Sequence, residues 1–466
     1  MGYFKHMDTK KPQQYFREHK NDFLSKLKEL VAIPSISADV EHADDVLSSA
    51  EAVATSLRSI GLDNVKLLSA DGGKPAVYGE WLKAGSDRPT VLLYAHHDVQ
   101  PTGEREKWHS EPFEATERDG RLYGRGAADD KGGLMMHLAA LASYLESGEQ
   151  LPVNVKCLFE GEEEIGSPTL GAILEGNREL LQADVMILSD TENFAVGIPG
   201  ITTQLRGLVY CSVLVAALEK PVHSGGWGGI LPDAALGLSK LLAKLTTDDG
   251  LIAIPGIYDE VRLLPEEEKQ AIRELPHDVE AMKRHAGLLA DVEFCGRDGC
   301  APGELIWHQP HLSVNAIQAS SRKQVSNIIV DEAWAQVGVR IVPDMSPERS
   351  LKLLVDFLRE EAPKGFRVTI TPHGSVPWWR TDTTHRAFRA AERALERGYG
   401  VKPVYMGCGG SIGFVEPFEK VLKAPALLIG VEDPETAAHS WNESLHLADW
   451  EKGVSSMIEL YAELAE

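Results

Sequence analysis

Several residues whose side chains suit metal chemistry stand at the ends of apolar runs. His96-His97-Asp98 closes the run Val91-Leu92-Leu93-Tyr94-Ala95, and Asp129-Asp130 precedes the apolar stretch Leu134 to Leu145. Glu160-Gly161-Glu162-Glu163-Glu164 follows Val153 to Phe159, Ser189-Asp190 follows Val185 to Leu188, and His439 sits in Ala437-Ala438-His439-Ser440. Side chains alternate along a strand, so His96 and Asp98 share one face and His97 points to the other. An imidazole with a carboxylate two residues on suits a metal ligand and its supporting acceptor. Taken singly, each piece has an ordinary explanation: Asp129-Asp130 as a helix cap, the glutamate run as a solvated turn, Asp190 as a turn former. Taken together, His96, Asp129, Glu164, Asp190 and His439 all fall at strand ends or adjoining loops of one sheet. Imidazoles and carboxylates without thiolate suit zinc, cobalt or manganese. One carboxylate bridging two ions would complete a two-metal hydrolytic site.

The elements that must position these groups follow from periodicity. Phe16, Phe23, Leu24, Leu27, Leu30 and Val31 recur at helical spacing, and a second helix is expected from Ala43 to Ile60, ending at Gly61. Strands are expected at Val65-Leu68, Ala76-Trp81, Thr90-Ala95, Val153-Phe159 and Val185-Leu188, alternating with helices. That alternation predicts an α/β fold with a mostly parallel sheet and helices on both faces. From about residue 204 the order becomes βαββαβ: strand Leu208-Val215, helix Leu231-Leu245, strands Leu312-Gln318 and Ala333-Val342, helix Pro347-Leu358, strand Phe366-Ile370. This is the ferredoxin-like arrangement. Residues 251–308 read as a helical excursion within it. The expected division is therefore 1–203 as the first catalytic part, 204–376 as an inserted α+β domain and 377–466 as the second catalytic part.

With 466 residues the chain has room for two or three domains, and 43% hydrophobic and 25% charged residues are ordinary for a soluble globular protein. A formal net charge of -23 without a basic cluster argues against nucleic acid and anionic membrane as partners. Five cysteines, with no Cys-x-x-Cys pair, indicate neither a disulfide framework nor a thiolate zinc site. A Cys295–Cys300 bridge is disfavoured. Met1 to Gln14 is polar and no apolar run suits a transmembrane helix, so a reducing, cytoplasmic location is expected.

Three motifs carry a resemblance. Tyr94-x-His96-x-Asp98-Val99-Gln100-Pro101, Tyr123-Gly124-Arg125-Gly126-x-x-Asp129-Asp130-Lys131-Gly132-Gly133 and Glu160-Gly161-x-Glu163-Glu164 resemble the co-catalytic zinc peptidases. That family includes carnosine and other dipeptidases, aminoacylase, glutamate carboxypeptidase and succinyl-diaminopimelate desuccinylase; the dipeptidase branch is most similar. The resemblance implies two divalent ions, zinc or else cobalt or manganese. His96 and Asp190 would hold one, Glu164 and His439 the other, with Asp129 bridging and a cis peptide between Asp129 and Asp130. Asp98 would orient His96, and Glu163 would be the general base acting on a metal-bridging water. The inserted domain would be a lid and dimerisation domain. His223, in Pro221-Val222-His223-Ser224-Gly225-Gly226, would reach the partner subunit's site in a homodimer and stabilise the oxyanion. Arg340 would clamp a substrate carboxylate, and Asn327, Gly410 and Ser411 would contact substrate. The implied activity is hydrolysis of the amide bond of dipeptides or N-acyl amino acids.

One departure bears on the substrate. Met406-Gly407-Cys408 stands where many dipeptidases carry Arg-Glu, which favours an N-acylated or unusual amide. Two other readings compete. Gly409-Gly410-Ser411-Ile412-Gly413, with Asp433 and His439 following, fits a serine hydrolase, but leaves the clustered carboxylates unexplained. A non-catalytic metal- or peptide-binding protein is the other, and retention of Glu163 argues against it. His97, His137, His308, His311 and His373 are read as structural or surface residues, and the Trp378-Trp379 pair as core.

Overall fold

Helical spacing of apolar residues near the start of the chain buries Phe16, Phe23, Leu27, Leu30 and Val31 along one helix, α1 (Lys10–Val31). The computed structural model describes residues 8–295, 299–323 and 325–466. After α1 come α2 (Ala43–Ser59), β1 (Asp63–Leu68), β2 (Ala76–Trp81), β3 (Thr90–His96), α3 (Lys131–Glu146), β4 (Asn154–Glu160), β5 (Val185–Leu188) and β6 (Gly200–Leu205). Next are β7 (Gly207–Ala216), α4 (Ala234–Leu242), β8 (His311–Gln318), β9 (Glu332–Ile341), α5 (Pro347–Glu360) and β10 (Arg367–Val376). The chain closes with α6 (Arg386–Tyr399), β11 (Ala426–Leu428) and α7 (Leu447–Leu464).

The chain divides into two compact units. The larger holds the residues up to Thr203, Thr381–Met406 and Phe414–Glu466; the smaller holds Gln204–Arg380 and Gly407–Gly413. Gly407–Gly413 thus clusters with the smaller unit, although the sequence pattern assigns it to the stretch beyond residue 377.

In the larger unit the strand order is β1-β2-β4-β3-β5-β11-β6. The four inner strands β4, β3, β5 and β11 are parallel, whereas the pairs β1/β2, β2/β4 and β11/β6 are antiparallel. The sheet is therefore mixed, not mostly parallel. The loop between β1 and β2 is short, and a parallel return needs a crossover of a dozen residues or so. β3 is buried almost throughout, because both its faces are covered. Val91, Leu93 and Ala95 join the core built with α1, α3, α6 and α7. Tyr94, pointing the other way, packs its ring 4.4 Å from Phe414 and 5.4 Å from Phe418.

The smaller unit is an antiparallel sheet in the order β8-β9-β7-β10. Val209, Cys211, Val213 and Val215 of β7 alternate inward against Leu238, Leu241, Leu354 and Leu358 from α4 and α5. β10 runs past the expected end at Ile370 and through Pro372, with a register irregularity between Pro372 and Gly374. Proline is tolerated there because β10 is an edge strand and Pro372 lies at the irregularity. The five cysteines are unbridged. Among the described residues no helix is long and apolar enough to cross a membrane.

Candidate metal centre

The parallel register of β3, β4 and β5 sets His96 opposite Glu160 and Tyr94 opposite Leu188. Asp190, two residues beyond Leu188, is thereby carried to the carboxyl end of β3, the edge at which open α/β sheets bind ligands. Asp129 comes from the loop before α3, Glu163 and Glu164 from a short 3-10 turn after β4, and His439 from the loop after β11. His439 has a left-handed backbone, φ 59°.

Two trios of potential ligands result: His96, Asp129 and Asp190, and Asp129, Glu164 and His439, each with its ligand atoms within 4.8 Å of one another. Asp129 belongs to both. Its Oδ1 lies 2.9 Å from His96 Nε2, and its Oδ2 lies 3.1 Å from His439 Nε2. Glu164 Oε2 is 3.2 Å from the same His439 nitrogen. The Asp129–Asp130 peptide is cis.

The electrostatics of this cluster test whether cations fit it. Burial, with Asp129 and Glu164 adding to it against the pull of His96, pushes the Asp190 carboxyl up to about 7. Burial and the carboxylates of Asp190, Glu164 and Asp129 raise Glu163 well above the usual range. Glu164 is raised by burial and by Asp129. Hydrogen bonds to Asp129 and Glu164 raise His439 to about 11. His96 is buried, which disfavours imidazolium, yet contacts with Asp129 and Asp98 raise its pKa too. Carboxylates that resist ionisation beside imidazoles that hold protons mark a local deficit of positive charge. A pair of divalent cations would supply it, and oxygen and imidazole donors without thiolate suit zinc-like ions.

The supporting contacts are equally specific. His96 Nδ1 lies 3.0 Å from the Asp98 carbonyl oxygen and 3.4 Å from its carboxylate. The expected carboxylate–imidazole bond is thus the longer contact. The Asp98 carboxylate also accepts the N–H groups of Glu163 at 3.2 Å and Glu164 at 3.1 Å, which fixes the turn carrying both. Gln100, a residue the sequence reading gave no role, donates its side-chain amide to Glu164 Oε2 at 2.9 Å and its backbone N–H to Oε1 at 3.1 Å. Asp130 accepts the Ser189 hydroxyl at 2.9 Å, tying the Asp129 loop to the Asp190 loop.

Glu443, fully buried, was also unanticipated. Its Oε1 accepts Ala128 N–H and Asp129 N–H, both at 3.1 Å. Its Oε2 accepts Gly126 N–H at 3.0 Å and Arg125 Nη1 at 2.7 Å. Burial pushes its pKa up, but four donors with no acceptor among them favour the ionised form. The only sequence signal was an acidic residue close after His439.

His97 turns away, as expected: its Nε2 lies 3.1 Å from the Pro75 carbonyl, and burial pulls its pKa down to about 4. The serine-hydrolase arrangement is not assembled. Asp433 takes Arg121 Nη2 at 2.8 Å and the Glu435 N–H, while the His439 Nε2 faces Asp129 and Glu164.

The remaining candidates lie in the smaller unit. Arg340 Nη1 donates to Ser411 Oγ at 2.6 Å, and the Gly410 carbonyl accepts Arg206 N–H at 3.1 Å. His223, exposed, pairs with Ile328, and the Asn327 carbonyl accepts the Ser224 N–H at 2.9 Å. The sequence candidates thus gather into three groups: the carboxylate–imidazole cluster, Arg340 with Gly410 and Ser411, and His223 with Asn327.

Residues 92–463 match the profile of peptidase family M20/M25/M40. The chain is 33% identical to a cysteinylglycine-S-conjugate dipeptidase of Corynebacterium striatum, covering 92% of each chain. It is 31% identical to the Cys-Gly metallodipeptidase dug1 of Schizosaccharomyces pombe, covering 98% of this chain and 99% of that one. The crystal structure of human carnosine dipeptidase 1 superposes with a TM-score of 0.88 at 27% identity, covering 98% of both chains.

Proposed function

The chain belongs to peptidase family M20/M25/M40 and is a metal-dependent amide hydrolase, and on that premise we propose that it cleaves the amide bond of dipeptides that keep a free carboxylate beside that bond. The observation that carries the reading is the division of the two Asp129 oxygens between two ligand trios. Two divalent ions, zinc by the donor set, would be held by His96 and Asp190 on one side, Glu164 and His439 on the other, and Asp129 between. When bound, such ions polarise a carbonyl and make water acidic enough to attack near neutral pH.

Glu163 is assigned the proton traffic. Its carboxylate is crowded by Asp190, Glu164 and Asp129, a setting that keeps its proton affinity high. It takes the proton of the attacking water and delivers it to the leaving amine nitrogen. Asp98 fixes the turn that aims Glu163 and Glu164 apart, and Arg340, through its planar fork, receives the substrate carboxylate. The smaller unit, whose chain order and strand order are those of a ferredoxin-like fold, serves as lid and dimerisation domain. In a homodimer its exposed His223 would serve the partner subunit's site, with Asn327, Gly410 and Ser411 contacting substrate. A strictly monomeric, fully active protein would remove that role from His223.

Cys408 favours a second reading. It occupies the place where an acidic residue would receive a free substrate amine; its sulfur instead accepts the Gly410 N–H at 3.2 Å. N-acyl amino acids, which have no free amine, are the alternative substrates. A panel of dipeptides and N-acyl amino acids, assayed with zinc, cobalt or manganese, separates the two. Glu163→Gln should abolish turnover while two metals stay bound; undiminished hydrolysis in that variant would refute the assignment of the base.

A further inference from the structure

Arg206 and Arg340 stand on one face of the smaller unit's sheet. In the β9/β7 register Arg340 lies opposite Leu208 and Ile341 opposite Gly207. Arg206, one residue before β7, is therefore the diagonal neighbour of Arg340 on the same side. His311 of β8 lies directly opposite Arg340. The alternate residues Val209, Val339 and Ile341 point into the hydrophobic core, so all three polar groups project from the opposite face.

Neither arginine has a carboxylate. Arg206 Nε donates to the Gly409 carbonyl at 2.9 Å, Arg340 Nη1 to the Ser411 hydroxyl at 2.6 Å, and no ion pair is formed by either among the described residues. The chain as a whole carries 70 acidic against 47 basic residues, so carboxylates are not scarce. Elsewhere Arg121 is paired with Asp433, Arg125 with Glu443 and Arg380 with Asp344. Two partly buried like charges held together are unfavourable without an anion; burial and the Arg340 charge together lower the Arg206 guanidinium to about 10. A cavity of about 310 Å³ opens beside Arg206, with His311, Tyr258, Leu251, Leu305 and Ile306 also on its wall. Asp249, also on that wall, accepts the Thr247 hydroxyl at 2.5 Å.

We infer that Arg206 and Arg340 form a two-guanidinium site for a substrate residue bearing two carboxylates, so that an aspartyl or glutamyl residue on the carboxyl side of the scissile amide is preferred. The inference rests on the reading that Arg340 receives the substrate's terminal carboxylate. Arg206 then meets the side-chain carboxylate, and Leu251, Leu305 and Ile306 on the mixed cavity wall take the methylenes. The Gly409-Gly410 loop is held by Arg206 through Nε and the backbone, which leaves its terminal nitrogens for the ligand.

The test is equilibrium binding of L-glutamate and L-glutamine to the zinc-loaded protein, measured by calorimetry, with a parallel cleavage panel. Glutamate should bind roughly tenfold more tightly or better, and Arg206→Gln should bring the ratio towards one, with Arg206→Lys in between. Equal binding of the two ligands by the parent, or binding of neither, overturns the inference. So does an Arg206→Gln protein that loses both ligands equally, because that pattern assigns Arg206 to loop positioning alone. Failure of the underlying dipeptide reading shows differently: no dipeptide is cleaved while the glutamate preference persists.

Discussion

Replacing Glu443 by Gln should damage the metal centre without touching a proposed ligand. Each Glu443 oxygen serves two donors: Oε1 those of Ala128 and Asp129, Oε2 those of Gly126 and Arg125. An amide can keep only one of these pairs, because its NH2 must face the other two donors. Two buried donors lose their acceptor, at about 1–3 kcal/mol each. Arg125, 1% exposed, also loses its charge partner, and breaking a buried ion pair costs roughly 3–5 kcal/mol. These terms overlap, so a loss of about 5 kcal/mol is expected, against a total stability on the order of 5–15 kcal/mol. The strain falls on the loop delivering Asp129, so the variant should bind fewer than two metals after dialysis and unfold at lower urea. The double variant Arg125→Met/Glu443→Gln removes the orphaned charge and should regain part of the stability. Its Ala128 and Asp129 N–H groups still lack a carboxylate, so full metal affinity should not return. A Glu443→Gln protein that holds two metals at parental affinity and melts with the parent would refute the reasoning.

Gly430→Ala should abolish soluble protein, because a Cβ there would fall 1.5 Å from the Thr191 carbonyl oxygen and 2.6 Å from that of Ser189; a parental melting curve would contradict this. Chelation should lower the melting temperature and added zinc should restore it, since cations relieve the carboxylate crowding at Asp129, Glu164 and Asp190; indifference to chelator would count against the metal centre. The buried His137 and the half-buried His308, held neutral, should make the fold less stable in acid. Burial lowers His137 from 6.5 to about 3 and His308 from 6.5 to about 4. Between 6.5 and these values the unfolded chain binds protons that the folded one refuses, so the contribution is full above pH 6.5 and is lost as pH falls through about 4 for His308 and about 3 for His137. A His137→Phe protein whose melting temperature falls across that window as steeply as the parent's would exclude the effect.

What could be read from the residues alone was set by local pattern. Apolar runs ending in His96, Glu160 and Asp190 locate strand ends because burial on both faces makes β3 and β4 continuous apolar stretches. Glycine and proline punctuate the helices. What escaped was set by partners distant in sequence. The antiparallel flanks of the larger sheet depend on which neighbour each strand finds, and β10 continues through Pro372 only because of its edge position. Glu443 looks like one more surface acid until the chain brings it to Arg125, 318 positions earlier, and Asp129, 314 positions earlier. Asp98 is legible from its spacing as a carboxylate that supports His96, but its closer service to the Glu163 and Glu164 N–H groups is not. Metal-binding types are thus visible as residue choices, whereas supporting groups distant in sequence, such as Glu443, are not, because any carboxylate or amide can fill a supporting role if the fold delivers it. The distinction has an energetic root. The proposed ligands crowd like charges and need cations to be stable, so their residue types are constrained by chemistry. Asp98, Gln100 and Glu443 are satisfied within the protein, and only their placement is constrained.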